Sequence, residues 1–431
     1  RAWNAIVTNP HPVLVIGTGA IFSIPRPDIG TIILERESAG GYKYQTRPYA
    51  DIRVFAEFLR KKIGAELIVG DLLLRSETLY RRDQGEIHDR LPLSFRIHTQ
   101  AEGAVIDVRK EKNPAKEFKI VSREVEDMIG LAQSRGERVF LYATRRGLSP
   151  LTLCGDCGTV VTCNTCTAPT VLHGDGENRF FLCHRCGERR DASERCKVCD
   201  SWKLTTLGIG TERVEEIVKK MFPNAHVVRI DKESTPTLAR GVKAISSFYS
   251  HPKSILIGTE MALLYLDKPI ERSAVISVDS LFSIPDFRTN EKVMSIISRI
   301  RTKTELQCLI QTRYASVPII THAAGGNAGS FYRDEIEERK KFNYPPISTL
   351  IKITYRGDKT LAWQEMEKVK KLIEPYELVL FPAFIEVVKG KHVVHGLIRL
   401  PRESWINEDL LHVLESLPLS FSVKVDPENL L

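Results

Sequence analysis

The chain has 431 residues, of which 42% are hydrophobic and 27% are charged. This balance is typical of globular proteins, and the length leaves room for about two to four domains. No apolar run approaches the ~18 residues of a membrane-spanning helix, which argues against a membrane protein. The formal net charge of +8 would suit a nucleic-acid partner, but global charge is weak support, and local basic patches must carry that argument.

The first ten residues, RAWNAIVTNP, lack the layout of a signal peptide and do not begin with Met. We therefore expect a cytoplasmic protein. We also expect the sequence to be a fragment from which an upstream domain is missing.

The first part of the chain alternates between two hydrophobic periods. Apolar runs at 13–19, 29–35 and 65–70 predict strands, while 50–62 has helical spacing. The pattern restarts at 122–143, where Ser122 caps a predicted helix and RVFLYA follows as a strand. Strands that alternate with helices predict a parallel α/β sheet.

Eight of the nine cysteines lie between positions 154 and 199, as four Cys-x-x-Cys pairs. Each pair supplies half of a tetrahedral zinc site, so the four pairs predict two structural Cys₄ sites. A disulfide framework is the alternative, but such frameworks belong to small secreted domains. We call residues 151–203 the cysteine arm.

The spacing leaves two ways to pair the halves. Adjacent pairing forces two turns together across five residues, so we prefer a nested arrangement with the first pair joined to the fourth. Nesting assigns zinc 1 to Cys154, Cys157, Cys196 and Cys199, and zinc 2 to Cys163, Cys166, Cys183 and Cys186.

Basic residues of the arm stand beside the aromatic residues Phe180, Phe181 and Trp202. This interleaving suits binding of single-stranded or junction DNA. The alternative is a solvated face over a small hydrophobic cluster. Eight thiolates around two Zn²⁺ would lower the net charge of the chain to about +4. The candidate DNA-binding residues are Arg179, Arg185, Arg189 and Arg190.

After the arm, residues 204–231 predict a strand-like entry into the resumed α/β unit, a Gly-rich turn, an amphipathic helix and another strand. Further strands are predicted at 254–263, 273–279 and 306–312. From residue 331 onward, helices and strands alternate in a pattern that predicts a compact α+β module.

Several segments resemble the PriA family of replication-restart helicases, also called primosomal protein N′. They are TRRGLSPLTLC before the arm, LGIGTERVEEIVKKMFPNAHVVRID after it, IGTEMA at 257–262, IPDFR at 284–288, EERKKFNYPP at 337–346 and the terminal VKVDPENLL. The resemblance implies an α/β superfamily 2 DNA helicase with two RecA-like lobes. Residues 1–110 would be a truncated first lobe, 111–330 the second lobe interrupted by the arm at 151–203, and 331–431 a C-terminal α+β domain.

The resemblance also implies partners and cofactors. The partners are forked or single-stranded DNA, single-strand DNA-binding protein, and the primosome proteins that load the replicative helicase, which places the protein at the nucleoid. The cofactors are two structural Zn²⁺ ions and ATP with Mg²⁺. In this family the first Cys-x-x-Cys pair joins the fourth, as in the nested arrangement.

The ATPase motifs of the family are degenerate here. No GxxxxGK[ST] loop occurs in the chain, and the acidic DEEH box corresponds to Glu35, Arg36, Glu37 and Ser38. The GSATPS segment becomes GDLLLRS at 70–76, and the arginine-bearing QVAGRAGR becomes SIISRIRTKTE, which retains only Arg299 and Arg301. Because phosphoryl transfer depends on these groups, the sequence predicts little or no ATP hydrolysis.

The sequence therefore favours a PriA-like scaffold that binds forked or single-stranded DNA without hydrolysing ATP. One alternative is an active ATP-dependent 3′–5′ DNA helicase whose missing N-terminal part supplies the engine. A second alternative is a zinc-ribbon protein that binds RNA.

Overall fold

The computed structural model describes residues 2–91, 95–97, 99–110, 119–144, 151–157, 159–165, 170–173, 179–183, 188–207, 209–283, 286–388 and 390–430. The chain divides into two compact units. The sheet unit comprises Leu91–Glu338 and Asn429–Leu431, and the terminal unit comprises Arg1–Arg90 and Arg339–Glu428. No helix within the described ranges combines the length and apolar character that crossing a bilayer requires.

The strands are β1 (Thr31–Glu35), β2 (Glu66–Gly70), β3 (Glu102–Asp107), β4 (Val139–Ala143), β5 (Leu151–Cys154), β6 (Val171–His173), β7 (Phe180–Leu182), β8 (Arg189–Asp191), β9 (Leu204–Leu207), β10 (Val227–Ile230), β11 (Ile255–Gly258), β12 (Ile270–Ser277), β13 (Thr304–Thr312), β14 (Ser348–Gly357), β15 (Val379–Val388), β16 (Lys391–Pro401) and β17 (Ser422–Val425). The helices are α1 (Ala2–Thr8), α2 (Ile52–Ile63), α3 (Ser76–Asp83), α4 (Arg123–Arg135), α5 (Thr211–Met221), α6 (Leu238–Ser250), α7 (Glu260–Tyr265), α8 (Thr289–Thr302), α9 (Pro318–Gly325), α10 (Ala328–Phe342), α11 (Lys359–Leu372) and α12 (Glu408–Ser416).

The sheet unit is built on a six-stranded sheet in the order β10-β11-β4-β12-β13-β3. All neighbouring strands in it are parallel. The central strand β4 is buried along its whole length, as is typical of parallel strands with both faces covered. The protein is thus a mixed α/β protein with a large parallel sheet, as the sequence predicts. The edge strand β3 lies on the N-terminal side of residue 110, the predicted boundary between the two lobes.

Helix α4 shows how the sequence sets these elements. Its N-cap Ser122 accepts a hydrogen bond from the Val125 amide at 3.4 Å, and the helix ends at Gly136 with a φ of 77°. Such a left-handed residue ends helices readily when it is glycine. The apolar residues of α4, including Val125 and Ile129, pack into the core under the sheet. The predicted cap at Ser122 is confirmed.

The cysteine arm forms short strands of its own between β4 and α5. Strand β5, at the start of the arm, pairs antiparallel with β9, which directly follows the arm, and Cys154 lies opposite Leu204. Strands β6, β7 and β8 form an antiparallel three-stranded sheet. The small core of the arm consists of Cys154, Phe181, Cys196 and Leu204. A core of this size is too small to fold the segment unaided.

The terminal unit contains an antiparallel sheet in the order β15-β16-β14-β17. Apolar residues of α11 and α12, among them Met366 and Leu410, pack with Ile351 and Ile398 of the sheet. Two helices packed against an antiparallel sheet agree with the α+β pattern predicted for the tail.

The first part of the terminal unit is a pair of parallel strands, β1 and β2, with helix α2. The Asp51 side chain caps α2 by accepting a hydrogen bond from the Arg53 amide at 2.9 Å. Ile32, Leu34 and Ala56 form its small core. The strand predicted at 13–19 is wrong: this segment is irregular, and a short helical turn follows at Gly19–Ser23. The apolar run lacks a neighbouring strand, so its side chains stay mostly exposed.

Candidate metal centre

Four of the cysteines lie together where two short turns of the arm meet. Cys154 ends strand β5 and Cys157 follows it, whereas Cys196 and Cys199 lie in the turn after β8. Their sulfur atoms all lie within 4.8 Å of one another. The Sγ atoms of Cys154 and Cys199 are 3.5 Å apart, as are those of Cys157 and Cys196. The structure therefore brings together the first and fourth Cys-x-x-Cys pairs.

The backbone holds these turns in place. The Cys154 amide donates to the Thr159 carbonyl at 2.9 Å, and the Cys196 amide donates to the Ser201 carbonyl at 2.8 Å. The Gly155 amide donates to the Lys203 carbonyl at 2.6 Å, which joins the first turn to the second. Local hydrogen bonds therefore orient the two halves of the site toward each other.

The donor set fits a zinc ion. A tetrahedron with Zn–S bonds of about 2.3 Å has S–S edges of roughly 3.8 Å, close to the two sulfur separations of 3.5 Å. Burial acts to raise the pKa of the Cys157 thiol, but hydrogen bonds with Thr159, Cys199 and Cys196 lower it to about 7. Four sulfur ligands would complete the coordination of the metal, so such a site would be structural.

The second predicted set is described only in part. Cys163 and Cys183 are both buried, whereas Cys166 and Cys186 lie outside the described residues. The Cys163 thiol hydrogen-bonds the Glu188 carboxylate, and the Cys183 amide donates to the Glu188 carbonyl at 2.8 Å. Glu188 thus contacts one residue of each inner pair. The sequence analysis does not predict that Glu188 contacts these cysteines. The only signal in the sequence is its position two residues after the third Cys-x-x-Cys pair.

The candidate DNA-binding arginines have different surroundings. The Arg190 guanidinium donates to the Thr162 carbonyl at 2.7 Å and pairs with Glu194 at 3.3 Å. Arg189 is exposed, and its guanidinium lies 3.7 Å from the centre of the Phe180 ring. Arg179 is also exposed and donates to the Leu204 carbonyl at 3.3 Å. Arg185 lies outside the described residues.

Known proteins were compared with the chain as a whole, and no protein-family model matches it. It is 27% identical to the replication restart protein PriA of Borreliella burgdorferi over 422 residues, which are 95% of this chain and 62% of that protein. It is 28% identical to Bacillus subtilis PriA over 417 residues, 93% of this chain and 51% of the relative. With Thermotoga maritima PriA it shares 26% over 430 residues, 97% and 56% of the two chains. Over nearly its whole length, the chain is similar to replication restart PriA proteins.

The resemblance covers nearly all of this chain but only part of each PriA relative. The chain spans between about half and three fifths of the length of these three PriA proteins. The residues at the predicted ATPase-motif positions of this chain therefore bear most directly on whether it can hydrolyse ATP.

The acidic-box positions lie at the end of β1, beside the segment that follows β2. Glu35 is exposed, and its carbonyl accepts a hydrogen bond from the Tyr42 hydroxyl at 2.7 Å. Arg36 has a φ of 55°, a left-handed conformation that is uncommon for a residue other than glycine. Glu37 is only 5% exposed.

The Glu37 carboxylate is fully engaged within the protein. One oxygen accepts a hydrogen bond from the Thr78 hydroxyl, and the other accepts one from the Arg75 amide at 3.1 Å. Burial raises the pKa of Glu37, although the contacts with Thr78 and Arg75 oppose this effect. The sequence analysis does not assign Thr78 this contact with Glu37. The available signal is its position in the first turn of α3, just after the degenerate segment at 70–76.

The two candidate arginines lie near the end of α8. Arg301 is 6% exposed, and its Nη2 donates to the Thr99 hydroxyl at 3.0 Å. Its guanidinium lies so close to Gly103 of β3 that a Cβ there would be 2.3 Å from Nη1. Burial lowers the pKa of Arg301. Arg299 is half-buried in the same turn.

Carboxylates do not gather at the ATPase positions. Within the described ranges, the four outer cysteines are the only set of three or more Cys, His, Asp or Glu side chains arranged to hold a metal ion. Glu35 ends β1, Glu37 lies just after it, and Asp71 follows the adjacent parallel strand β2, but their oxygens do not form such a set. Among the described residues, three or more carboxylates therefore do not converge on one point at these positions.

Proposed function

We propose that this chain acts in replication restart by binding forked or single-stranded DNA, and that it does not hydrolyse ATP efficiently. Similarity to PriA proteins along nearly the whole chain supports the first part. For the second part, the structure adds that Glu37, the acidic-box carboxylate next to the lost catalytic position, is buried and bonded to Thr78 and Arg75. A carboxylate held in this way joins two segments of the protein and does not face a reacting water.

The neighbouring positions support the same proposal. Arg36 stands where the family carries a catalytic carboxylate, and its cation would repel Mg²⁺. Arg301 is buried against β3, which leaves it poorly placed to contact a nucleotide. Because phosphoryl transfer needs positioned carboxylates and arginines together, each loss alone would lower the rate by orders of magnitude.

We propose the predicted domain division as the framework for this function. Residues 1–110 would be the remnant of a first RecA-like lobe, 111–330 the second lobe, and 331–431 the C-terminal domain. The six-stranded parallel sheet supports a helicase-like second lobe, although its edge strand β3 precedes residue 111. The arm at 151–203 would hold two zinc ions in the nested arrangement, and the clustering of Cys154, Cys157, Cys196 and Cys199 supports the outer site.

The proposed partners follow from the family. They are forked or single-stranded DNA, single-strand DNA-binding protein, and the primosome proteins that load the replicative helicase, all met at the nucleoid in the cytoplasm. Arg179 and Arg189 are the exposed candidates among the four arginines for DNA contact. Arg190 contacts Thr162 and Glu194, so we propose that it stabilises the arm and does not bind DNA.

DNA binding is tested by titrating the protein into labelled forked DNA, single-stranded DNA and structured RNA. We expect the fork and the single strand to bind more tightly than RNA, and the affinity to fall steeply with salt because phosphate contacts release counterions. Removal of zinc by a chelator should weaken binding. Tighter binding of RNA would favour a zinc-ribbon RNA-binding protein instead.

An active helicase is the second candidate, and the unmatched length of the PriA relatives favours it. Polypeptide beyond this chain could supply a phosphate-binding loop. The variant Arg36→Glu separates the two candidates when it is made in the full-length gene product. If the other motifs are also lost, restoring a carboxylate there should leave ATP hydrolysis at background level. A large gain in hydrolysis would mean that the remaining engine is intact.

A further inference from the structure

The aromatic residues of the cysteine arm differ in what surrounds them. Phe181 is fully buried in the small core, and the Phe180 ring is covered by the Arg189 guanidinium. Trp202 is 74% exposed. Within the part of the arm that the structure describes, its ring makes no ring–ring or cation–π contact. The arm therefore presents one large aromatic surface to its surroundings.

Two arginines of the arm contact backbone carbonyls close to Trp202 in the chain, and a lysine directly follows it. Arg179, which immediately precedes β7, donates to the Leu204 carbonyl at 3.3 Å. Arg195 donates to the Asp200 carbonyl at 3.4 Å. Lys203 is the next residue after Trp202 and pairs with Asp156 at 3.1 Å. Basic side chains therefore contact, or belong to, residues within two positions of Trp202 in the chain, on both sides.

These cations are available to an incoming anion. The Arg195 and Lys203 side chains are more than half exposed, and Arg179 is exposed as well. Exposed ion pairs such as Arg195 with Asp200 contribute little to stability, so exchanging the carboxylate for another anion costs little. Residues 151–203 carry seven acidic and seven basic side chains. The attraction for an anion is therefore local to this group of cations and is not a property of the whole arm.

We propose that Trp202 is a stacking platform for one base of a single-stranded nucleic acid, with Arg179, Arg195 and Lys203 neutralising the flanking phosphates. An exposed aromatic face with cations at the flanking residues suits unpaired bases, because any base can stack and the nucleic-acid backbone supplies the negative charge. In a duplex the base faces are already stacked on each other, so the platform would discriminate in favour of single strands. This inference rests on the proposed DNA binding.

The test compares the wild-type chain with Trp202→Ala, Trp202→Phe and Val198→Ala. Val198 is the matched control, because it is an apolar residue four positions before Trp202 and is 70% exposed. The ligands are a labelled oligothymidine and a blunt duplex of the same length. The zinc content of each variant is measured to establish that the arm is intact.

We expect Trp202→Ala to weaken binding of the oligothymidine roughly 5- to 150-fold, the range that base stacking on an aromatic residue produces. Trp202→Phe should keep most of the affinity, and Val198→Ala should match the wild type. Duplex binding should not change in any variant. Oligothymidine should also quench wild-type tryptophan fluorescence more than that of Trp202→Phe, which retains Trp3, Trp363 and Trp405.

Different failures have different meanings. If the wild type binds oligothymidine and Trp202→Ala binds it equally well without differential quenching, the platform is wrong, the DNA-binding proposal stands, and Trp202 is assigned to a protein contact. Equal weakening of single-strand and duplex binding would also overturn the platform, because stacking requires an unpaired base. If the wild type binds neither the oligothymidine nor a fork, the proposed function fails together with this inference.

Discussion

Glu37 joins the segment after β1 to the start of α3. Its two carboxylate oxygens satisfy the Thr78 hydroxyl and the Arg75 amide in a buried setting. We expect Glu37→Ala to lower the free energy of unfolding by about 1–3 kcal/mol, because it leaves buried donors without an acceptor. Glu35→Ala is the control, since Glu35 is exposed, and it should change stability by less than ~0.5 kcal/mol. Urea denaturation measures both. Equal effects of the two variants would contradict a structural role for Glu37.

Buried His395 should make the stability of the protein depend on pH. It is 4% exposed, its Nδ1 bonds the Thr354 hydroxyl at 2.8 Å, and its Nε2 has no hydrogen-bond partner. Burial, together with the charges of Lys352, Arg356 and Lys424, lowers the pKa of His395 to about 3. Because the folded-state pKa lies below the unfolded value of about 6.5, stability is full above pH ~6.5 and is lost as the pH falls toward 3.

The expected loss from His395 is up to about 1.4 kcal/mol per pH unit below 6.5. His395→Leu should flatten the pH dependence of the unfolding free energy between pH 6 and about pH 4. His412→Gln serves as the control because His412 is exposed, and it should leave that slope unchanged. A slope that is the same in wild type and His395→Leu would show that other groups set the acid sensitivity.

The pairing of the four Cys-x-x-Cys turns can be tested by measuring the zinc content of cysteine variants. Cys154 and Cys199 belong to one site in the nested arrangement and to two different sites in the adjacent one. If nesting is correct, the double variant Cys154→Ser with Cys199→Ser should lose one zinc ion per chain, no more than either single variant loses. Adjacent pairing predicts the loss of two. Zinc content after purification is the measurement, and Cys308→Ala, which changes a buried cysteine of β13 outside the arm, should lose none.

Local patterns predicted many of the elements of this chain. Helices α2 and α4 follow from apolar spacing and from caps at Asp51 and Ser122, and these interactions act over a few residues. The strand predicted at 13–19 failed because a strand needs a neighbour, and apolar composition does not reveal whether one exists. Strand β9 was predicted as an entry to the α/β core, but it pairs with β5 at the base of the arm.

The candidate site was predictable to the extent that spacing constrains it. Cys-x-x-Cys fixes each half-site locally, whereas the meeting of Cys154 with Cys199 depends on the pairing of β5 with β9 across about fifty residues. The burial of Arg301 could not be predicted, since an arginine near the end of a helix is ordinarily exposed. Nor does the sequence reveal that Trp202 is exposed while Phe181 is buried.

At the scale of the whole molecule, the parallel sheet and the clustered cysteines coexist with ATPase positions that serve other contacts. The net charge of +8 would fall to about +4 with two zinc sites, so DNA affinity should depend on local cations. We expect log K for single-stranded DNA to fall linearly with log[salt]. Arg179→Ala should reduce the slope by about 0.7, the value for one phosphate contact on a single strand. Arg190→Ala should change this slope less, because Arg190 contacts Thr162 and Glu194. Equal slopes for the wild type and Arg179→Ala would remove Arg179 from the DNA contacts.

The central claim is that a PriA-related architecture here binds DNA without a working ATPase. The most direct measurement is ATP hydrolysis by the full-length gene product, with and without forked DNA, at protein concentrations that saturate the fork. We predict that the fork is bound and that it does not raise hydrolysis above the background of the DNA-free reaction. Fork-stimulated ATP hydrolysis accompanied by strand separation would contradict the claim.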